Sequence, residues 1–107
     1  GEPVTDAVID NPTEGRFEVH VDGEVAAFTE YRLDGDVADF PHTETRSGFE
    51  GRGLARTVVT GALAEARRRG WKVRPVCPYV LKVVGEDPTL HDLVPAAERE
   101  RFGLPPA

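Results

Sequence analysis

The sequence predicts a mixed α/β fold of the α+β kind: an antiparallel meander of about three strands, then a helix, a parallel strand and a short helix. Three observations carry that expectation. Apolar and polar residues alternate from Arg16 to Val21, and two Asp-Gly pairs then punctuate β-favouring segments. An apolar stripe at three- and four-residue spacing begins at Leu54. A short run from Lys72 to Val76 follows the point where that helical pattern stops.

In chain order, Val4 to Ile9 either adds a short strand or lies along the surface. Phe17, Val19 and Val21 share one face and Arg16, Glu18 and His20 the other, which gives a strand with one dry face. Asp22-Gly23 reads as a two-residue hairpin turn. Val25 to Leu33 reads as the returning strand, rich in Val, Phe, Thr and Tyr. Asp34-Gly35 repeats the turn signal, and Val37 to Thr45 reads as a third strand. Pro41 in its middle has no N–H for a ladder, so it marks an edge, a bulge or an irregular end.

Leu54, Ala55, Val58, Val59, Ala62, Leu63 and Ala66 form the helical stripe, with Arg56, Thr57, Thr60, Glu65, Arg67 and Arg68 on the other side. Gly70 stops the helix after three arginines, read as a solvated face at the negative end of the dipole. Strands on either side of such a helix run parallel in one sheet through a right-handed crossover. Tyr79 to Val84 reads as a short helix ended by Gly85. The tail from Pro95 reads as a frayed helix. Trp71 is a packing anchor, and His20 and His91 are surface residues.

A chain of 107 residues, 39% hydrophobic and 30% charged, is read as one globular domain over 1–107 with its core at about 16–94. No apolar run reaches the roughly 20 residues of a membrane span, and no cationic-then-apolar leader opens the sequence. The formal net charge of −6 argues against broad nucleic-acid binding. The arginines and Lys72 crowding the middle nevertheless suit a small polyanion. One cysteine excludes an internal disulfide and fits a reducing compartment, so a cytoplasmic location is expected. One cysteine and three scattered histidines give no metal-ligand spacing.

The stretch Ser47 to Ala55 organises the rest. Gly48, Gly51 and Gly53 fall where the helix opens, where backbone N–H groups lack partners and the dipole is positive. Without Cβ atoms, Gly51 and Gly53 let a phosphate approach those groups. The alternative is that the glycines only shape the turn. The order is neither that of a Walker A loop nor that of the dinucleotide fingerprint.

Glu50-Gly51-Arg52-Gly53-Leu54-Ala55 resembles the acyl-CoA signature of the GNAT superfamily of N-acetyltransferases, written Q/R-x-x-G-x-G/A. Gly53 and Ala55 match its small positions, while Glu50 departs from the usual Gln or Arg. His42-Thr43 before the loop and Cys77-Pro78-Tyr79-Val80 after the helix resemble a small stand-alone branch of that superfamily. The resemblance spans roughly Phe17 to Val94. It implies a GNAT-like mixed sheet with two splayed strands, and acetyl-CoA as co-substrate with its pantetheine arm between them. It implies cofactor contacts at Thr43, Gly48, Glu50, Gly51, Arg52, Gly53, Leu54 and Ala55. The expected reaction moves an acetyl group to an amine: a small molecule or a protein lysine.

Cys77 is the first catalytic candidate. Pro78 holds it extended, which gives its side chain a defined direction. A thiolate can accept an acetyl group and a thiol can relay a proton, although a lone cysteine also serves as a small buried hydrophobe. The resemblance favours catalysis, since related proteins carry a cysteine at this motif position. Histidine suits the deprotonation of an amine, which makes His42 the second candidate; Glu44 shares its face. The rival reading is a non-catalytic CoA-binding module or a protein-interaction domain.

Overall fold

A computed structural model describes residues 8–107. The predicted strand at Val4 to Ile9 falls largely outside them; the strand described there is β1, Ile9–Asn11. It pairs antiparallel with β2, Arg16–Val21, which turns at Asp22-Gly23 into β3, Glu24–Glu30. Both turn residues have positive φ, 51° and 81°. That is the left-handed pair a tight hairpin needs.

The predicted second and third strands are each divided, and the divisions coincide. The second stops at Tyr31 and resumes as β4, Arg32–Asp34. The third consists of β5, Val37–Asp39, and β6, Thr43–Thr45. Their register gives the cause. Arg32 faces Asp39 and Thr29 faces Thr43, so Glu30 and Tyr31 stand opposite three residues, Phe40, Pro41 and His42. One extra residue around Pro41 makes a bulge, which bends a single long hairpin into two sheets. β1-β2-β3-β6 form the first sheet, and β4 and β5 form the second with β7, Lys72–Arg74. The turn between β4 and β5 sits at Gly35-Asp36, one residue later than expected.

Helix α1, Leu54–Arg68, packs Val58, Val59, Ala62, Leu63 and Ala66 against the first sheet. It ends as expected at Gly70, φ 77°. Trp71 N–H donates to Ala66 O and Gly70 N–H to Arg67 O, the double bond of a glycine C-cap. Strand β7, Lys72–Arg74, then runs parallel to β5. Trp71 joins Phe17, Tyr31 and Phe40 in an aromatic cluster, with the Tyr31 and Trp71 rings 5.4 Å apart. The three arginines before Gly70 are not merely solvated. Arg67 forks onto Asp92, Arg68 holds Glu65, and Arg69 bridges Glu65 and Asp10.

Helix α2, Pro78–Glu86, is longer than predicted. Gly85 lies inside it and does not stop it; the helix ends at Asp87, whose carboxylate caps the 3-10 turn Pro88–Leu93. His91 is not a surface residue: it is half-buried, and its Nε2 is buried without a hydrogen-bond partner. Nor is the tail frayed. Arg74 clasps Glu98 at 2.8 Å, and Leu104 joins the core.

Candidate functional site

The loop before α1 is built on three left-handed glycines, Gly48, Gly51 and Gly53, with φ of 92°, 79° and 71°. A Cβ at any of them would meet nothing within 4 Å. These glycines therefore answer to backbone conformation, not to crowding, and the space beside them is open. The first bond of the α1 ladder runs from Thr57 N–H to Gly53 O, 3.1 Å. Leu54, Ala55 and Arg56 precede it, so their N–H groups have no acceptor in the helix. The first turn of α1 contains no acidic residue. Unpaired N–H groups at a helix start, approached through glycines, suit an anion.

Side chains refine that cradle. Glu50 Oε1 accepts the Gly48 N–H at 2.9 Å, so this carboxylate already sits where an anion would. Arg46 leans toward Glu44 (3.8 Å), and Arg56 is paired with Glu86 of α2 (3.0 Å). Arg52 lies over the Phe49 ring and has no carboxylate partner among the described residues. Of the three arginines around the loop, it is the cation left for a ligand.

The Pro41 bulge also shapes the far end of the β5–β7 pair. Phe40 still takes part, receiving Cys77 N–H on its carbonyl at 2.7 Å and donating its own N–H to Arg74 O at 3.0 Å. Beyond it the two chains separate. β6 stays with β3, while Pro75 and Pro78 remove donors on the other side, and Val76 turns back onto Arg74 O. The expected parting of adjacent strands near Cys77 is thus present. Cys77 is extended, φ −64° and ψ 129°, and forms the N-cap of α2, with Pro78 opening the first turn. Its sulfur is nearly buried and its S–H donates to Thr43 Oγ1 at 3.5 Å. Thr43 Oγ1 in turn lies 2.9 Å from Thr29 Oγ1.

Strand β6 sends its neighbours to opposite faces. Thr43 faces Cys77 with Thr29, its cross-strand partner. His42 and Glu44 lie on the other face, where His42 Nε2 is 3.2 Å from Glu44 Oε1 and the His42 ring meets the edge of Phe28. Both are about half exposed. Cys77 and Thr43 are therefore brought together, and His42 is set across the sheet from them. Sequence reasoning passed over Thr29. Its signal was parity: it falls on the same side of β3 as the buried Ala27, where a hydroxyl is out of place. A hollow of about 500 Å³ at the C-terminal segment, lined by Ala97, Arg99, Leu104 and Pro106 among others, shares no residue with the loop or Cys77. No cluster of three or more His, Cys, Asp or Glu able to hold a metal occurs among the described residues. Nor is any helix described here long and apolar enough to cross a membrane.

The glycine-opened helix, the antiparallel sheet and the parallel β5–β7 pair make the GNAT-like mixed fold expected from the motifs. The model of the GCN5-related N-acetyltransferase family matches residues 16–93, and the chain belongs to that family. It is thereby an acetyltransferase by family. Among solved structures it is similar to the NMR solution structure of a GCN5-like candidate N-acetyltransferase from Staphylococcus aureus. The TM-score is 0.63 at 16% identity, over 86% of this chain and 91% of that one, a likeness of fold. No curated protein matches the sequence.

Proposed function

We propose that this protein acts as a single domain over residues 1–107, with an acyl-CoA-binding core of about 16–94, and transfers an acetyl group from acetyl-CoA to an amine. The open space beside three left-handed glycines at the start of α1 supports this most directly. Backbone N–H groups from Gly48 to Ala55 would hold the pyrophosphate, with Arg52 as the added cation. The pantetheine arm would run into the gap between β6 and the Val76–Cys77 segment, which brings the thioester to the nearly buried sulfur of Cys77.

Two routes fit. In the direct one the amine attacks the thioester, C–S cleavage releases CoA thiolate, and a base takes the amine proton. Water would take it first, and His42, set across the sheet from the sulfur, would receive the proton only through such a relay. In the covalent one Cys77 loses its proton, attacks the acetyl carbonyl and releases CoA; the amine then attacks the acetyl-cysteine and returns the thiol. Amine acceptors of either size, a small molecule or a protein lysine, suit both routes.

Calorimetry with CoA tests the cradle. Wild-type protein is expected to bind saturably, and Gly53→Ala to weaken binding about tenfold, as expected from losing one or two charge-assisted contacts. No binding at millimolar CoA rejects the proposal. Mass spectrometry after mixing with acetyl-CoA alone separates the routes: an adduct on Cys77 marks the covalent one. An active Cys77→Ala variant without any wild-type adduct leaves the direct one. CoA binding with no CoA release across a panel of amines would instead support a non-catalytic module.

A further inference from the structure

We propose that Thr29 is a positioning residue for Cys77, acting through the Thr43 hydroxyl; the inference deepens the acetyl-transfer reading and rests on it for the role of the sulfur. Thr29 lies on the core side of β3, directly opposite Phe17 of β2 and Thr43 of β6. It is completely buried. Valine has the same shape and the same preference for strands, and burying it costs no hydroxyl desolvation. A buried hydroxyl at this position therefore needs a use that packing does not supply. The contact is to Thr43 Oγ1, 2.9 Å away, which is itself the acceptor of the Cys77 S–H at 3.5 Å.

Three groups thus stand in one chain: thiol, half-buried hydroxyl, buried hydroxyl. Each hydroxyl both donates and accepts, and its proton rotates to suit. While Cys77 carries its proton, the chain runs outward from sulfur: S–H to Thr43, Thr43 O–H to Thr29. Once the sulfur has lost its proton or carries an acyl group, it has nothing to donate, and the direction reverses. Thr29 O–H then donates to Thr43, and Thr43 O–H points to the sulfur. Linked hydrogen bonds strengthen one another, so the inner hydroxyl stiffens and polarises the outer one in both states. Thr29 never touches the sulfur. It keeps the Thr43 hydroxyl on one line as the thiol changes state.

The test compares Thr29→Val, Thr29→Ser, Thr43→Val and Thr43→Ser. Three measurements are made on the full chain: the rate of Cys77 alkylation by iodoacetamide across pH, acetyl-CoA turnover with separate kcat and KM, and the melting temperature. Each valine variant is expected to slow alkylation and to lower kcat by about three- to tenfold, the worth of one hydrogen bond, and Thr29→Val to leave KM for acetyl-CoA unchanged. Serine at either position is expected to restore both rates. The inference is overturned if Thr29→Val alkylates at the wild-type rate while folded. It is also overturned if Thr29→Ser fails to rescue, because the role would then be one of shape. Should Thr29→Val not fold, the serine variant decides, since it keeps the hydroxyl and removes only the methyl. If alkylation follows the expected pattern and no variant, wild type included, turns over acetyl-CoA, the positioning stands and the transfer reading falls.

Discussion

Glu50 is the residue at which this chain's loop differs most in charge from the acyl-CoA motif it resembles. Its carboxylate accepts the Gly48 N–H, so the cradle holds an anion of its own. On the proposed reading a diphosphate would displace that contact and then sit near a negative charge. Glu50→Gln removes the charge and keeps the side-chain length. CoA binding is expected to tighten by up to about fivefold, the scale of one exposed charge pair, and the gain should shrink as salt is raised. Unchanged affinity at low salt would mean that Glu50 swings clear of the ligand. The carboxylate's departure from the motif was legible in the letters, but its grip on Gly48 was not, because a turn two residues long is set by backbone dihedrals. Cys77 was legible for the opposite reason. Pro78 restricts it locally, and the extended backbone found there follows from that restriction.

Elements were readable where one local rule governed them and unreadable where two strands had to agree. The α1 stripe and its Gly70 stop depend on residues a few positions apart, and both stand as expected. Pro41 announced a disturbance, but whether it would end a strand or bend it depended on the register with Glu30 and Tyr31 across the hairpin. Gly85 misled because glycine is only a weak helix breaker, whereas Asp87-Pro88 is a strong stop. Gly61 is a glycine whose reason is tertiary. It sits within α1, and an added Cβ would collide with the Val8 side chain, its Cβ included. Gly61→Ala should gain about 0.5–1 kcal/mol of helix propensity and lose about 1–3 kcal/mol to overpacking. A net loss is expected in urea melts. A stabilised variant would show that the segment before β1 yields at no cost.

The whole molecule is tied along its first edge by a buried carboxylate. Glu18 is on the polar side of β2 yet only 3% exposed. Burial pushes its carboxyl up, but hydrogen bonds from His20, Arg16 and Asn11 outweigh that and hold it at about 2. Asn11 belongs to β1, so the cluster stitches that strand to β2. On the other side Asp10 anchors Arg69 at the end of α1 and the Tyr31 hydroxyl, whose own ionisation is pushed up to about 12 by burial and that carboxylate. A depressed carboxyl stabilises the fold fully above its unfolded value, near 4.5, and the contribution is lost as pH falls toward the folded value near 2. At about 1.4 kcal/mol for each pH unit of difference, Glu18 accounts for up to about 3 kcal/mol. Asp92 and Glu65 titrate in the same direction, but the exposure of Asp92 to solvent screens its share. Urea melts between pH 7 and pH 2 should therefore show stability falling below about pH 4.5. Glu18→Gln should be less stable at neutral pH, and its curve should converge on the wild-type curve as pH falls toward 2, where the native carboxyl takes up its proton. Two curves that stay parallel through that range would remove Glu18 as the source of the acid sensitivity and would leave the exposed pairs of α1 to explain it.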